Sequence, residues 1–459
     1  MRTVFRSLIA TVIAGPALLY TLASSSTDGR DVVVASERAA RIPAAVRDAE
    51  LAPSRIAVAN TRSRGGRAAV GGIQPKVDYD PTAGFEPPGS AGAAAVGDVT
   101  GDGRADMLVV SRIDADGRGI LSVFAQTAAG GFAPIVNHEL GAAYNFLDGG
   151  LVLSDLNRDD TLDAVVGMTN GIAVVLFRAD GTASRQNVVL GREIRQVGAL
   201  DIDRDGHQDA VGLSWGNLLG GAAPEAATLF FNDGAGGLQR AQAMETPQRG
   251  YNDLKVGDVT GDGHPDLVIS SRQAFHFWVI PHNGDSGFSA ARAYPNQHPI
   301  RTYGSVAIGD FNSDRRNDVA AAVWASIADS AIWVHFQNAA GGLDPPVRLA
   351  SLDLPGPMLG HDLDNDARTD LVVLHDGGYE QIGRYRQVTA EVQPVEQLFP
   401  HTDSGNTFNR QGFAIGDING DRCPDLVFAD GLYGLLFKTG KACFTSRPQR
   451  IARPRPPGR

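Results

Sequence analysis

The chain has 459 residues, a formal net charge of −11 and 43% hydrophobic residues, which excludes wholesale disorder and leaves room for two or three average domains or one large repeat assembly. Fifty-five glycines against 25 prolines indicate many turns and exclude a collagen-like chain. An acidic chain without a stripe of interleaved basic and aromatic residues gives no support to nucleic-acid binding.

The first residues, MRTVFRSLIATVIAGPALLYTLASSS, carry Arg2 and Arg6, then an apolar run from Leu8, then small residues. This layout predicts a secretory signal peptide over residues 1–23. The apolar run is short for a membrane span and is broken by Gly15-Pro16. The mature chain is therefore expected to have no transmembrane segment and to be secreted, periplasmic or at the cell surface. Residues 24–76, rich in Ala, Arg, Ser and Gly, predict a disordered leader with a short helix from Ala44 to Leu51.

From residue 77 to 446 the pattern changes. Short apolar runs (MLVV, AVVLF, LVIS, DLVVL) recur between Gly, Asn and Asp, as an all-β chain requires. Seven copies of one stretch organise them, beginning at Asp98, Asp155, Asp201, Asp258, Asp310, Asp362 and Asp417, with separations of 46 to 57 residues. In each unit an apolar strand enters an acidic loop and a second strand leaves it. A third strand follows, closed in most units by a Gly-rich turn (TAAGGF, DGAGGL, NGDSGF, NAAGGL), and a fourth crosses to the next unit. Seven units of four strands fit a seven-bladed β-propeller. AGFEPPGSAG, before the first unit, is expected to supply a fourth strand that completes the last blade.

The acidic loop reads D-x-[DNT]-x-D-x-x-x-D, with oxygen-bearing residues at positions 1, 3, 5 and 9. The seven sets are Asp98, Thr100, Asp102 and Asp106; Asp155, Asn157, Asp159 and Asp163; Asp201, Asp203, Asp205 and Asp209; and Asp258, Thr260, Asp262 and Asp266. The last three are Asp310, Asn312, Asp314 and Asp318; Asp362, Asp364, Asp366 and Asp370; and Asp417, Asn419, Asp421 and Asp425. Hard oxygens on alternate residues of a tight turn suit Ca²⁺, whereas softer metals would call for His or Cys. Asp is common in turns for its own reasons, but seven copies retaining all three aspartates point to a cation. A helix-loop-helix calcium hand needs a Glu at position 12, where the first and third copies have Val109 and Gly212.

These loops resemble the FG-GAP or VCBS-type repeats of secreted bacterial proteins, which are similar to the calcium-binding blades of integrin α-subunit propellers. The resemblance implies calcium, at up to seven sites, between the first and second strands of each blade. Position 6 is Gly only at Gly103, Gly206 and Gly263. Asp160, Arg315, Ala367 and Arg422 depart from that pattern, so their sites are expected to be weaker. The integrin-like GAP tripeptide is also missing.

The two cysteines, Cys423 in the last loop and Cys443 after the turn between its third and fourth strands, fall on the same end of an up-and-down blade, and a disulfide is expected. The basic, Pro-rich tail 447–459 reads as a solvated end. GDSG at 284–287 resembles a protease nucleophile loop but aligns with the Gly-rich turns of the other units, so Ser286 is not expected to be catalytic. No spaced histidine cluster or other catalytic motif is present. The ligand face is expected at the end opposite the acidic loops, with Arg112, Trp215, Tyr251, Arg272, Tyr303 and Tyr379, and further Trp324 and His375, as candidates. The expected function is binding of a protein or glycan by a monomer. The alternative is a polysaccharide lyase or hydrolase, since VCBS-like propellers also occur in such enzymes.

Overall fold

In a computed structural model, the described residues are 11–14, 18–27, 30–35, 90–112, 117–144, 149–214, 226–246, 251–271, 276–285, 287–295, 303–323, 330–352, 354–375, 381–388, 394, 396–400, 411–429, 434–436 and 443. The chain divides into two units, Met1–Ala68 and Ala69–Arg459.

In the first unit β1 (Thr11–Ala14), β2 (Leu18–Thr27) and β3 (Arg30–Ala35) form an antiparallel sheet in that order. Part of the stretch read as an unstructured leader thus has strand backbone. The β-branched run Val32-Val33-Val34 gives the physical reason, because such side chains favour extended chain. The predicted helix at 44–51 lies outside the described residues. Among the described residues no helix is long and apolar enough to cross a membrane.

The second unit is all-β. Its described strands make six four-stranded antiparallel sheets and one three-stranded sheet, each an up-and-down meander. The first sheet is β4 (Ser90–Gly97), β5 (Asp106–Arg112), β6 (Arg118–Phe124) and β7 (Val136–Ala143). The second is β8 (Leu151–Ser154) to β11 (Ala183–Val189), the third β12 (Gln196–Leu200) to β15 (Leu238–Glu245), and the fourth β16 (Tyr251–Gly257) to β19 (Arg292–Pro295). The fifth is β20 (Tyr303–Gly309) to β23 (Val347–Ala350), the sixth β24 (Pro355–His361) to β27 (Gln397–Pro400), and the seventh β28 (Phe413–Gly416) to β30 (Gly434–Leu436).

Second strands such as Asp106–Arg112 and Asp266–Ser271 are buried nearly throughout, although a strand with one wet face would alternate. The reason is stacking on both faces. Val110 and Leu121 of the first sheet pack with Val166 and Val175 of the second. Met107 and Val109, on the other face, pack with Ile418 and Val427 of the seventh. The last sheet therefore meets the first. The expected closing strand is corrected in part: Ser90, Ala91 and Gly92 belong to β4, the first strand of the first sheet, while residues 83–89 lie outside the described set.

Polar links cross the same boundaries. Fully buried Asp253 on β16 accepts from Ser305 Oγ (2.5 Å) and Val306 N (3.0 Å) of the next sheet, and from Lys255 Nζ (2.9 Å). Gln411, just before β28, reaches across to the third sheet. Its Oε1 accepts from Val197 N at 3.0 Å and its Nε2 donates to Val197 O at 2.6 Å, while its carbonyl accepts from Ala94 N at 3.0 Å. Gly150 makes room for it, since a Cβ there would lie 1.9 Å from Gln411 Oε1. Gln411→Ala, which leaves Val197 without both partners, is expected to lower unfolding free energy by about 1–3 kcal/mol. Urea denaturation measures this, and an unchanged midpoint would show that the cross-link adds nothing.

Candidate functional site

Each acidic loop joins the first strand of a sheet to its second. All seven lie at one end, because neighbouring loops are bonded to one another and to the turn after the third strand. Gln126 Nε2 donates to Asp417 O (3.1 Å), Asn232 Nδ2 to Leu156 O (2.8 Å) and Asn317 Nδ2 to Asp258 O (3.0 Å). A His282 ring nitrogen lies 2.8 Å from Ile202 O, and Arg158 donates to Gly206 O.

Positions 4 and 6 of every loop have a left-handed backbone. Position 4 is Gly101, Arg158, Arg204, Gly261, Ser313, Asn365 or Gly420, and the non-glycine φ values there run from 56° to 62°. At position 6, Asp160, Arg315, Ala367 and Arg422 adopt φ of 63° to 67° where the other copies have Gly. These residues carry the strain that their side chains imply, yet keep the same turn. Position 4 was not singled out from the sequence, although its Gly, Asn and Ser copies carried the signal.

The aspartates divide the work. At position 1 the carboxylate collects turn N–H groups: Asp98 Oδ1 accepts from Gly101 N at 2.7 Å and Oδ2 from Gly103 N at 2.6 Å, and Asp258 repeats both bonds. At position 5 it caps position 7, as in Asp205 with His207 N at 2.8 Å. The ninth-position aspartates are almost fully buried and act first on the backbone. In the first five loops one oxygen accepts from position 2 and the other from the end of the third strand. Asp106 does so with Val99 N (3.0 Å) and Gln126 N (2.9 Å), Asp163 with Leu156 N and Phe177 N, and Asp318 with Phe311 N and Gln337 N.

Burial pushes the Asp163 and Asp318 carboxyls up to about 7 and that of Asp209 up to about 6, although backbone N–H groups pull the other way. Asp106 and Asp266 are raised for the same reason. Because these groups keep their protons to higher pH when folded than their ordinary 3.8, they lower stability as pH rises from about 4 to about 7. In chelator the melting temperature is therefore expected to fall between pH 5 and pH 8, and a rise across that window would contradict this account.

A cation needs convergent oxygens that are not already used. The third loop supplies them. Oxygens of Asp201, Asp203 and Asp209 lie within 4.8 Å of one another, and Asp201 Oδ1 and Asp203 Oδ1 are buried without a hydrogen-bond partner. That donor set fits a hard divalent ion. In the first and fifth loops the position-7 arginines, Arg104 and Arg316, pair with Asp102 and Asp314 of their own loop. The sixth loop also brings three carboxylates together, Asp362, Asp364 and Asp370, but two guanidinium groups lie against them. This cluster does not fit a divalent ion. In the second, fourth and seventh loops, as in the first and fifth, no three carboxylates among the described residues converge to that degree.

Cys423 and Cys443 form a disulfide with Cα atoms 5.1 Å apart. Asn283 N donates to Gly287 O at 2.9 Å, so the GDSG stretch spans the same turn as Asp233–Gly237 and Asn338–Gly342; Ser286 itself is outside the described residues.

Of the expected ligand-face residues, Arg112 ends β5, and Tyr251 and Tyr303 start β16 and β20. All three are at the sheet ends away from the acidic loops. Trp215, Arg272, Trp324 and Tyr379 are outside the described residues. His375 is corrected: its side chain is buried and its Nε2 lies 2.7 Å from Glu396 Oε1, so it is an internal pair and not a contact surface. A groove of about 480 Å³ lies instead at the acidic-loop end, between the fourth and fifth sheets. Thr260, Asp262, His282, Asn283, Ser289 and Arg292 line it, and Arg292 Nη1 donates to Gly341 O at 2.6 Å. The sequence reading did not find this groove, because its two walls come from turns some fifty residues apart.

The ring of antiparallel meanders defines a β-propeller. Residues 258–321, from the fourth acidic loop into the second strand of the fifth sheet, match the FG-GAP-like repeat family model. Among curated proteins no sequence matches this chain significantly. Among solved structures it is similar to the BP39L lectin from Burkholderia pseudomallei, with 11% identity and a TM-score of 0.55 over 76% of this chain and 99% of that one. It also matches an Agrocybe aegerita lectin described as recognising non-reducing terminal N-acetylglucosamine, with 15% identity and a TM-score of 0.49 over 74% and 86% of the two chains. A rhamnogalacturonan lyase from Bacillus licheniformis matches with 12% identity and a TM-score of 0.42 over 93% and 81%. At 11% identity the likeness to the Burkholderia pseudomallei lectin is one of fold.

Proposed function

We propose that this chain is a secreted, seven-bladed β-propeller that holds calcium in its acidic loops and binds a glycan or protein as a monomer, without catalysis. The observation that carries the binding reading is the groove between the fourth and fifth sheets. The exposed Ser289 hydroxyl, Asn283 amide, Asp262 carboxylate and Arg292 guanidinium of its lining offer the donors and acceptors that sugar hydroxyls or peptide groups require. The Burkholderia pseudomallei protein that shares the fold is named a lectin, which agrees with this reading at the level of scaffold.

Calcium and ligand would be linked. Thr260 and Asp262 belong both to the fourth acidic loop and to the groove wall, so ordering the loop shapes the groove. The third loop, with its two unpartnered buried oxygens, is the best-formed calcium site in this reading. Asp201, Asp203 and Asp209 would hold the ion there, and its charge would offset the repulsion among them.

EDTA is expected to lower the melting temperature and added calcium to restore it; an unchanged transition would sink the structural role of calcium. A glycan array probed with and without calcium tests the binding reading. Arg292→Ala is expected to weaken binding about tenfold, which is about 1.4 kcal/mol. Turnover of a bound polymer would overturn the non-catalytic reading in favour of a polysaccharide lyase or hydrolase, whose acid and base would have to converge on a cleft.

A further inference from the structure

Two arginines approach the sixth loop from the third strand of its sheet and the residue just beyond it. Arg384, on β26 (Gln381–Tyr385), is fully buried and points into the loop. Its Nη2 lies 2.6 Å from Asp370 Oδ2 and 2.7 Å from Asp364 Oδ2, and its Nε donates to Asp370 Oδ2 at 2.9 Å. One residue beyond the strand, Arg386 places its Nη2 2.7 Å from Asp364 Oδ2 and 2.8 Å from Asp366 Oδ2. Two fixed positive charges thus face the carboxylates at positions 3, 5 and 9. Asp364 Oδ1 is the one oxygen of these three carboxylates that is buried without a hydrogen-bond partner.

We propose that Arg384, assisted by Arg386, is the built-in cation of the sixth loop, and that this loop takes no divalent ion while others do. The proposal rests on the calcium reading for the remaining loops. A guanidinium is permanently charged, and its planar fork of N–H groups can hold two carboxylates at once. A divalent ion entering here would bring Asp364 and Asp370 onto itself and leave the buried arginine without its counter-charges. Breaking such a pair from one side is expensive, because a desolvated charge is stranded. The position-7 arginines of the first and fifth loops are partly exposed and each pairs with one carboxylate of its own loop, so they leave the other ligands in place.

The experiment is a calcium stoichiometry on the full chain by equilibrium dialysis, together with melting curves in calcium and in EDTA. Asp203→Asn, in the third loop, is expected to remove one bound calcium. Asp364→Asn is expected to leave the stoichiometry unchanged and to lower the melting temperature equally in calcium and in EDTA. Loss of one calcium on Asp364→Asn would overturn the proposal. Arg384→Met is expected to gain one calcium and to recover in calcium much of the melting temperature that it loses in EDTA. If Arg384→Met does not fold, the stoichiometry of Asp364→Asn decides alone.

Should the wild-type chain bind no calcium at all, the calcium reading fails by itself. The ion network is then judged in EDTA. There the losses in melting temperature from Arg386→Gln and Asp364→Asn are expected to be less than additive. Additive losses would show that the guanidinium groups do not serve these carboxylates.

Discussion

A carboxylate buried at position 9 of each acidic loop is the contact on which the sheets depend. Moving a charged group out of water is costly unless its oxygens find donors. At Asp106, Asp163, Asp209, Asp266 and Asp318 both oxygens do so, one on the loop backbone and one on the chain leaving the third strand. A single side chain therefore fixes the turn between strands one and two against the end of strand three. Asn at this position could accept through only one atom and would present a donor to the other N–H, which explains why Asp stands there in these five copies.

With each sheet fixed in this way, the sheets can stack on both faces. Side chains at the third-strand ends, Gln126, Asn232 and His282, reach the preceding sheet's loop, and Asp253 and Gln411 tie sheets together near their first strands. The consequence is electrostatic. Seven acidic loops share one end, and the charge they gather is compensated differently from loop to loop. Backbone N–H groups serve the position-1 aspartates everywhere, loop arginines serve Asp102 and Asp314, a strand arginine serves Asp364 and Asp370, and the third loop keeps two buried oxygens open.

Much of this was legible in the sequence because a repeat samples one physical problem seven times. The spacing of the aspartates, the apolar strands beside them and the Gly-rich turns after the third strand all describe contacts within about thirty residues. Local geometry translates such contacts directly into pattern. What stayed hidden was how the oxygens are shared. Asp370 and Asp209 look alike as letters, yet one faces a guanidinium and the other a chain N–H. His375 reads as an exposed loop-end residue, but Glu396, 21 residues later, covers it.

The sequence by itself determined the all-β class, the repeating unit and the acidic loop as its invariant part, since each depends on period, turn chemistry and short-range hydrogen bonding. Only the tertiary structure decided which loops have oxygens to spare and that the groove opens at the acidic-loop end. Those features depend on side chains from neighbouring sheets, whose meeting is set by stacking and not by separation along the chain.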